Sequence, residues 1–433
     1  MTKDRFGNEY APGVPYARGE ILSSTSDDLA KLRAAWALIR GREARGEATV
    51  NASGLERCMS VEPGEERLLD DELAAALLTD ELKELGLKMF GGDADRHDVM
   101  VTNRLTAGLL VAADVVVPEG SRVIGFSPTY SHPAVQRAVK HARATFTDLT
   151  DIEELEAALA ADPKPGALFL TRLAVSYQIL DEADLRRAVD LAHGRGIPVI
   201  VDDAGGARVG PACFGHPRTL ELPVAVACTG LDKYGTLGPR LGLIGGDKDV
   251  VARMRARAYE MGIEARAMLY PQVVRSLKYY SDDKVRDLVD CTMTVRDAVV
   301  ERLGADRVHV TPVTAQLKAE DILEMAMARS GINEAPRSSY PCVPYEATAA
   351  LAMLLLRDHG ILTVHFAGIP PGTSALMLKF ISPEVLEAVG GAAAFAEAVD
   401  ASIGRLGEII ADKGALTRLL KGAEAAVPRV AAE

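Results

Sequence analysis

The stretch GALFLTRLAVSYQILDEADLRRAVDLAHGRGIPVIVDDAGG at positions 166–206 decides the fold class of this chain. It holds two mostly apolar runs, GALFLT (166–171) and PVIVDD (198–203), separated by an amphipathic segment at 182–196 that ends at a glycine. Continuously apolar runs of this length predict strands buried on both faces, and the segment between them has helical periodicity. A strand, a helix and a strand in this order predict a βαβ unit and therefore a parallel sheet.

The same alternation continues on both sides of this stretch. The elements predicted outside it are, in chain order, a strand at 98–102, a helix at 105–114, a strand at 122–127, a helix at 134–142, a strand at 144–149, a helix at 152–161, and strands at 224–229 and 240–246. Helices of this length between strands cover both faces of one sheet. We therefore predict an α/β fold for residues 97–246, with a mostly parallel sheet flanked by helices.

The pattern changes at both ends of the chain, which predicts further domains. Residues 1–50 are predicted to form an arm and a helix that pack with a small domain, and residues 51–285 to form the large domain. Residues 286–433 are predicted to form the smaller α+β domain, with short strands at RVHVTPV (307–313) and TVHFAGI (363–369).

Composition and charge exclude several classes of protein. The 433 residues are 48% hydrophobic and carry 49 Lys and Arg against 61 Asp and Glu, a formal net charge of −12. This apolar fraction is that of a globular protein, and the negative charge disfavours nucleic acid or an anionic membrane as the main partner. We expect an enzyme that acts on a small molecule, with no nucleic-acid partner and no membrane partner.

The cysteines and the apolar runs favour a cytoplasmic protein. The five cysteines have no CxxC spacing, as expected in a reducing compartment, and the first 13 residues lack the apolar segment of a secretory signal. The longest apolar runs, at 109–117 and 350–356, are far shorter than the ~20 residues that span a bilayer. The eight histidines have neither HxH nor HExxH spacing, so we predict no metal site.

Polar residues follow three of the predicted strands, at the edge where a parallel sheet binds its ligands. Asp202 and Asp203 end one strand, Lys233 follows the next strand about thirty residues later, and the turn TNRLTAG (102–108) opens a helix. Each feature alone also fits a structural role: a turn, a solvated lysine or a helix N-cap. Together they match the needs of pyridoxal 5'-phosphate, which takes an amine that bonds to it, a carboxylate for its pyridine nitrogen and a helix N-terminus for its phosphate.

The same segments resemble the fold-type-I pyridoxal-phosphate enzymes, and within them the branch of selenocysteine synthase and D-glucosaminate-6-phosphate ammonia-lyase. The stretches that carry the resemblance are VNASG (50–54), DVMVTNRLTAGLLVA (98–112), GIPVIVDDAGG (196–206) and TGLDKYGTLGPRLGLIGG (229–246). It covers about residues 50–250 and implies a transferase-like large domain together with a smaller α+β domain.

The resemblance implies a role for individual residues. Lys233 resembles the lysine that bonds to the cofactor and later moves a proton of the substrate, and Asp202 resembles the partner of the pyridine nitrogen. Asp203 is a second claimant for that partner. His132 would stack on the pyridine ring, with Tyr130 as an alternative. The residues that would hold the cofactor phosphate are Asn103, Arg104, Thr106 and Thr229.

This chain departs from the family pattern at the phosphate turn and at the substrate site. Arg104 stands where the family has a small residue, so it either contacts the phosphate or faces the substrate. Lys379 stands where family members often present an arginine to the substrate carboxylate, and lysine binds a carboxylate as a point charge only. Arg172 is a further candidate for substrate binding, and Arg208 and Arg57 remain alternatives.

Lyase-type chemistry on a small amino acid, by elimination or carbon–carbon cleavage at the α/β position, is the first functional hypothesis. An aminotransferase is the alternative, because the same cofactor and scaffold serve both reactions. A non-catalytic protein of the same fold is a third reading, which the intact pair of Asp202 and Lys233 disfavours. The resemblance also implies a homodimer or a dimer of dimers, in which the arm at 1–25 and the segment 257–271 would lie against the partner subunit.

Overall fold

The computed structural model describes residues 2–161, 163–331, 340–366 and 369–422, with the backbone alone at residue 366. Its contacts divide the chain into two compact units. One unit consists of Met1–Leu55 and Asp287–Glu433, and the other of Glu56–Arg286. The domain limits predicted from the sequence, at 50/51 and 285/286, lie a few residues from these limits.

Strands and helices are labelled in chain order. The strands are β1 (Val50–Asn51), β2 (His97–Thr102), β3 (Arg122–Phe126), β4 (Thr145–Leu149), β5 (Ala167–Thr171), β6 (Val199–Asp202), β7 (Val226–Gly230), β8 (Gly242–Asp247), β9 (His309–Val310), β10 (Thr314–Lys318), β11 (Ile361–Leu362) and β12 (Ala375–Lys379). The helices are α1 (Thr25–Ala44), α2 (Asp71–Phe90), α3 (Leu105–Val116), α4 (Pro133–His141), α5 (Ile152–Ala160), α6 (Glu182–Gly194), α7 (Gly206–Phe214), α8 (Lys248–Met261), α9 (Tyr270–Tyr279), α10 (Asp282–Leu303), α11 (Ala319–Ser330), α12 (Pro344–His359), α13 (Pro383–Ala388), α14 (Ala392–Ile409) and α15 (Lys413–Lys421).

The unit Glu56–Arg286 is built on a seven-stranded sheet with the order β2-β8-β7-β6-β5-β3-β4. The pairs from β7 through β6, β5 and β3 to β4 are all parallel, whereas β8 runs antiparallel to both β7 and β2. The link between β7 and β8 holds no helix, and a parallel partner would require a long crossover, so β8 reverses direction. The predicted α/β fold with a mostly parallel sheet is confirmed.

Side chains of this sheet alternate between two apolar layers. In β5, Leu168 and Leu170 face the layer that also contains Leu185 of α6, while Phe169 belongs to the opposite layer with Val135 of α4. All these side chains are buried. Burial on both faces explains why the strands are continuously apolar in sequence, and it leaves the strand ends as the place for polar residues.

The unit formed by Met1–Leu55 and Asp287–Glu433 contains two small sheets. Strands β12, β10 and β9 pair antiparallel, and β1 pairs parallel with β11. The strand predicted at 363–369 is wrong where the structure describes it, because Val364–Phe366 forms a 3-10 turn; residues 367–368 lie outside the described part. The strand predicted at 307–313 shortens to His309–Val310, since the chain turns at Thr311 to enter β10.

The N-terminal arm packs in part on its own chain. Tyr16 is buried, stacks on Tyr345 with ring centroids 4.4 Å apart, and donates a hydrogen bond from its hydroxyl to the carbonyl of Pro371. Glu346 accepts hydrogen bonds from the backbone N–H groups of Ile21 and Leu22. These contacts therefore account for part of the surface that the arm was expected to find on a partner subunit. Among the described helices, each is too short or too polar to pass through a bilayer.

Candidate active site

Lys233 lies in the loop that follows β7, held in place by its neighbours. The hydroxyl of Thr236 lies 2.7 Å from the carbonyl of Leu231 and 2.6 Å from that of Lys233, and its one hydrogen can be donated to either. Gly230 precedes the loop, and a Cβ there would lie 2.7 Å from Oδ1 of Asp232 and 3.1 Å from Cε of Lys233. A side chain at residue 230 would therefore require the side chains of Asp232 and Lys233 to shift.

The environment of Lys233 favours a neutral amine. Burial lowers the pKa of its amine, and the positive charges of Arg240 and Arg57 lower it further, against the opposing effect of Asp232 and Asp202. The Nζ atom is 3.8 Å from Oδ1 of Asp232. A deprotonated lysine is the form that attacks an aldehyde or takes a proton, so the site prepares Lys233 for either task.

Asp202 ends β6 with a carboxylate that the described protein only half satisfies. The residue is 3% exposed, and its Oδ1 atom has no hydrogen-bond partner among the described residues. Burial, and then the charge of Asp203, raise the pKa of Asp202 to about 7, while the charge of Lys233 acts in the opposite direction. A buried acceptor of this kind suits a protonated ring nitrogen, which would supply the missing donor and the missing charge.

Asp203 is committed to a different set of contacts. Its Oδ2 atom lies 3.0 Å from Nη2 of Arg172 and accepts a hydrogen bond from the hydroxyl of Thr219. Arg172 is fully buried and also donates to the carbonyl of Pro217. The Oδ1 atom of Asp203 also lacks a partner among the described residues, but this carboxylate already has the positive charge of Arg172 beside it, so Asp202 is the carboxylate that better suits a cofactor. Arg172 is thus held by an ion pair inside the protein, and substrate binding by Arg172 stays a prediction.

The turn between β2 and α3 supplies the start of a helix close to β8. Arg104 is the N-cap residue, with an exposed side chain, and Thr106 lies in the first turn, where backbone N–H groups have no partner within the helix. A Cβ at Gly242 would lie 2.9 Å from the carbonyl carbon of Arg104. Asn103 donates its amide to the carbonyl of Gly262 at 3.4 Å. This helix start fits a phosphate, with Arg104 as its nearest charge.

Thr229 and Arg208 form a supporting pair beneath the lysine loop. The hydroxyl of Thr229 donates to the carbonyl of Ala204 at 3.0 Å and accepts from Nη1 of Arg208 at 3.1 Å. Arg208 is fully buried and donates also to the carbonyl of Gly230. In this arrangement the hydroxyl hydrogen of Thr229 is already used, so the predicted bond to a phosphate would require it to change partner.

His132 caps α4 as a neutral imidazole. Its Nδ1 atom accepts a hydrogen bond from the backbone N–H of Ala134 at 3.0 Å. Burial lowers the pKa of His132 to about 3, with smaller contributions from the charges of Arg137 and Lys233. A neutral ring close to Lys233 is suited to stacking on a pyridine ring, as the sequence predicted, and Tyr130 stays an alternative.

Sequence reasoning missed a pair of tyrosines behind Lys233. The hydroxyls of Tyr177 and Tyr234 are 2.5 Å apart, both rings are buried, and burial raises the pKa of both phenols. Tyr177 has a φ of 63°, a conformation that is strained for a residue with a side chain. The adjacency of Lys233 and Tyr234 and the double glycine at 205–206 were the available signals, since a Cβ at Gly205 would clash with the ring of Tyr234.

Lys379 lies in the other unit, on β12. Its side chain is buried, and it pairs with Thr314 across the antiparallel ladder. Gly54, at the end of the VNASG motif and with a φ of 64°, packs against it, so that a Cβ there would lie 3.1 Å from Cγ of Lys379. The motif residue and the lysine are therefore neighbours within one unit. Substrate binding by Lys379 stays a prediction.

Comparisons with known proteins bear on the cofactor. No family model matches the chain. A UPF0425 pyridoxal phosphate-dependent protein of Methanothermobacter thermautotrophicus is 28% identical over 75% of this chain and 79% of its own length. A protein of the same description from Methanosphaera stadtmanae is 23% identical over 78% and 84%. Both names carry the cofactor that the sequence predicts here.

Solved structures similar to this chain include several aminotransferases. The N-succinyldiaminopimelate aminotransferase of Mycobacterium tuberculosis has a TM-score of 0.56 at 15% identity, covering 87% of this chain and 96% of its own. The chain has the aminotransferase fold. The finer resemblance, to selenocysteine synthase and the ammonia-lyase, stays a prediction.

Proposed function

We propose that this chain is a pyridoxal-phosphate-dependent enzyme that acts on the amino group of a small amino acid. The observation that carries the proposal is the buried Oδ1 atom of Asp202, which has no described partner, at the same strand-end edge as an amine of lowered pKa on Lys233. The names of the two relatives support this cofactor.

The protein residues would have separate tasks around the bound cofactor. The cofactor supplies an electron sink for the bonds at the substrate α-carbon. Asp202 would keep its ring nitrogen protonated, His132 would hold the ring by stacking, and the first turn of α3 with Arg104 would hold its phosphate. Lys233 would bond to the cofactor and, once released, move a proton with its Nζ atom.

An aminotransferase is the reaction that the comparisons support best, because the similar structures are aminotransferases. A transamination would need one amine that accepts a proton from the substrate α-carbon and later donates it. Lys233 would be that amine, and burial lowers its pKa, which favours the proton-accepting form.

Lyase-type elimination is the second candidate, supported by the positive charge around Lys233. Arg57, Arg104 and Arg240 lie within electrostatic reach of one another, with Asp232 among them. Such a cluster would stabilise negative charge that develops on a departing acid group.

Two measurements test the proposal. Purified protein loaded with the cofactor should show a visible absorption band, and reduction with borohydride should fix the cofactor on Lys233 and on no other lysine. Incubation with D and L amino acids then separates the reactions. Amino transfer requires a keto-acid acceptor, whereas elimination releases ammonia without one. A protein that does not retain the cofactor would overturn the proposal.

We also propose that the enzyme works as a homodimer or a dimer of dimers in the cytoplasm, with small-molecule substrates. Leu73 and Leu77 lie one turn apart on α2 and are 37% and 52% exposed, which leaves apolar surface for a second copy to cover. Light scattering at assay concentration tests this assembly, and a fully active monomer would contradict it.

A further inference from the structure

Three arginines from separate parts of the sequence surround the loop of Lys233. The Nε atom of Arg240 is 3.8 Å from Oδ2 of Asp232, next to the lysine. Arg57 is brought to the same loop by a 3.0 Å hydrogen bond from the N–H of Glu56 to the carbonyl of Asp232. Burial lowers the pKa of Arg57, and the charge of Arg104 lowers it further against the effect of Asp232. Three positive charges therefore lie around this loop, with Asp232 among them.

A cofactor phosphate would account for two of these arginines. Arg104 caps α3, and the backbone of Arg104 lies directly against Gly242, which follows Arg240 by two residues. Both side chains therefore start beside the helix terminus where a phosphate fits. Two guanidinium groups match the double negative charge of one phosphate. Arg57 is left over in this assignment.

The free atoms of Arg57 lie on one edge of its guanidinium group. Its Nε and Nη2 atoms are sheltered from solvent and have no hydrogen-bond partner among the described residues. These two nitrogens point their hydrogens in the same direction, and together they form the edge that binds both oxygens of a carboxylate at once. Sheltered donors of a charged group are costly without an acceptor, so this edge is suited to an anion from outside the protein.

The other arginines once considered for the substrate do not offer such an edge. Arg172 is fully buried against Asp203 and the carbonyl of Pro217. Arg208 is fully buried and donates through Nη1 to Thr229 and to the carbonyl of Gly230. The Nε atom of each also lacks a partner among the described residues, but the Nη2 atom beside it is bound, to Asp203 and Thr219 in Arg172 and to the sulfur of Met89 in Arg208. The charge of Arg57, by contrast, lies within reach of the amine of Lys233.

We propose that Arg57 binds the carboxylate of the amino-acid substrate through its Nε and Nη2 atoms. The inference rests on the proposed function, because it requires the substrate amine to react where Lys233 stands. It assigns to Arg57 the selection of amino acids over simple amines. The planar edge accounts for the preference for amino acids, since their carboxylate presents two coplanar oxygens, whereas a simple amine has no carboxylate and presents none.

The experiment compares Arg57→Gln, Arg57→Lys and wild type, with Arg253→Gln as the matched control. Arg253 is an exposed arginine on α8, in the same unit and outside the arginine cluster. Each protein is loaded with cofactor and titrated with D- and L-alanine, D- and L-aspartate, and ethylamine, which is alanine without its carboxylate. The readouts are the half-saturating concentration from the cofactor absorption spectrum, the dissociation constant of the cofactor and the melting temperature.

We expect Arg57→Gln to raise the half-saturating concentration of the amino acids at least about tenfold, the usual effect of losing a charged hydrogen bond. Arg57→Lys should lie between Arg57→Gln and wild type, since it keeps the charge and loses the planar edge. Ethylamine binding and cofactor affinity should stay within about threefold of wild type, and Arg253→Gln should match wild type throughout.

Three results for Arg57→Gln would overturn the assignment while leaving the proposed function intact. The first is that the variant binds the amino acids as tightly as wild type, and the second is that it loses as much affinity for ethylamine as for the amino acids. The third is that it loses affinity for the cofactor, which would place Arg57 at the phosphate. A wild type that binds the cofactor but responds to none of these amino acids would overturn it as well. A wild type that does not bind the cofactor would instead refute the proposed function, and the assignment would fall with it.

Discussion

Replacement by asparagine should change the stability of the cofactor-free protein in opposite directions at the neighbouring residues Asp202 and Asp203. Asp202 is buried with one oxygen lacking a described partner, and its pKa rises from 3.8 to about 7. One pKa unit corresponds to about 1.36 kcal/mol, so the ionised carboxylate costs the cofactor-free protein ~4 kcal/mol above neutral pH. Asp203 is ion-paired at 3.0 Å to the buried Arg172, so its charge stabilises the fold.

The raised pKa of Asp202 determines how the stability of the protein changes with pH. The folded state holds the proton of Asp202 up to a higher pH than the unfolded chain does, so folding binds protons between pH 3.8 and about 7. The contribution of Asp202 to stability therefore falls as the pH rises through this window and stays constant above it. Asp202→Asn removes the charge without changing the shape, so this loss of stability with rising pH should be absent in the variant.

Denaturation midpoints of the cofactor-free protein at pH 5 and pH 8 test the argument. At pH 8, Asp202→Asn should be more stable than wild type by up to ~4 kcal/mol, and at pH 5, nearer the lower end of this window, by only about 1.6 kcal/mol. Asp203→Asn should lose about 3 to 5 kcal/mol, since it leaves Arg172 buried without its carboxylate. With cofactor, Asp202→Asn should be nearly inactive. The reasoning would be refuted if Asp202→Asn destabilised the cofactor-free protein at pH 8 as Asp203→Asn does.

Substitutions at three further positions of the site, Lys233, Gly242 and His132, test its other parts. Lys233→Ala should abolish labelling by borohydride and lower activity roughly 10³-fold with an unchanged melting temperature; labelling elsewhere would show that another lysine holds the cofactor. Gly242→Ala should weaken cofactor binding about tenfold or more, because the new Cβ would press on the backbone of Arg104. Gly194→Ala is the control, since its Cβ meets no atom within 4 Å and cofactor binding should not change. Equal effects of the two substitutions would contradict the phosphate site. His132→Phe keeps a flat ring, so the dissociation constant of the cofactor should stay within about threefold of wild type, whereas His132→Ala should raise it about three- to tenfold. Equal dissociation constants for the two variants would argue against stacking.

The sequence predicted the large sheet well because burial on both faces leaves a strong signal. Strands such as β5 are apolar at every position but the last, and the helices between them keep a polar side. The smaller sheets carry no such signal. Strand β9 has only two residues, and β10, which was not predicted, has polar residues at Thr314, Gln316 and Lys318. Strand β10 is fixed by pairing with β12, which lies about sixty residues away and leaves no mark on the local pattern, and β9 pairs with β10.

The acidic pair at the end of β6 shows how far local reasoning reaches. Successive side chains of an extended strand point in opposite directions, so only one of Asp202 and Asp203 could serve a ligand. The preference for Asp202 rested on the resemblance, and the contacts now give it a physical reason, because Asp203 is occupied by Arg172 and Thr219. Those partners come from other strands and loops, so no window of sequence around Asp203 could have shown them.

The arginines required the structure for the same reason. Arg172, Arg208 and Arg57 have equal chemistry in the sequence, and what separates them is the set of distant acceptors that each one meets. Arg172 meets Pro217 and Asp203, and Arg208 meets the carbonyl of Gly230, so the fold uses both charges. In Arg172 and Arg208 the Nη2 atom beside the unpaired Nε has a partner, whereas in Arg57 neither of these two nitrogens has one among the described residues. Sheltered donors without an acceptor carry a free-energy cost, which a bound anion would remove, so of the three arginines Arg57 is the one whose edge suits a carboxylate.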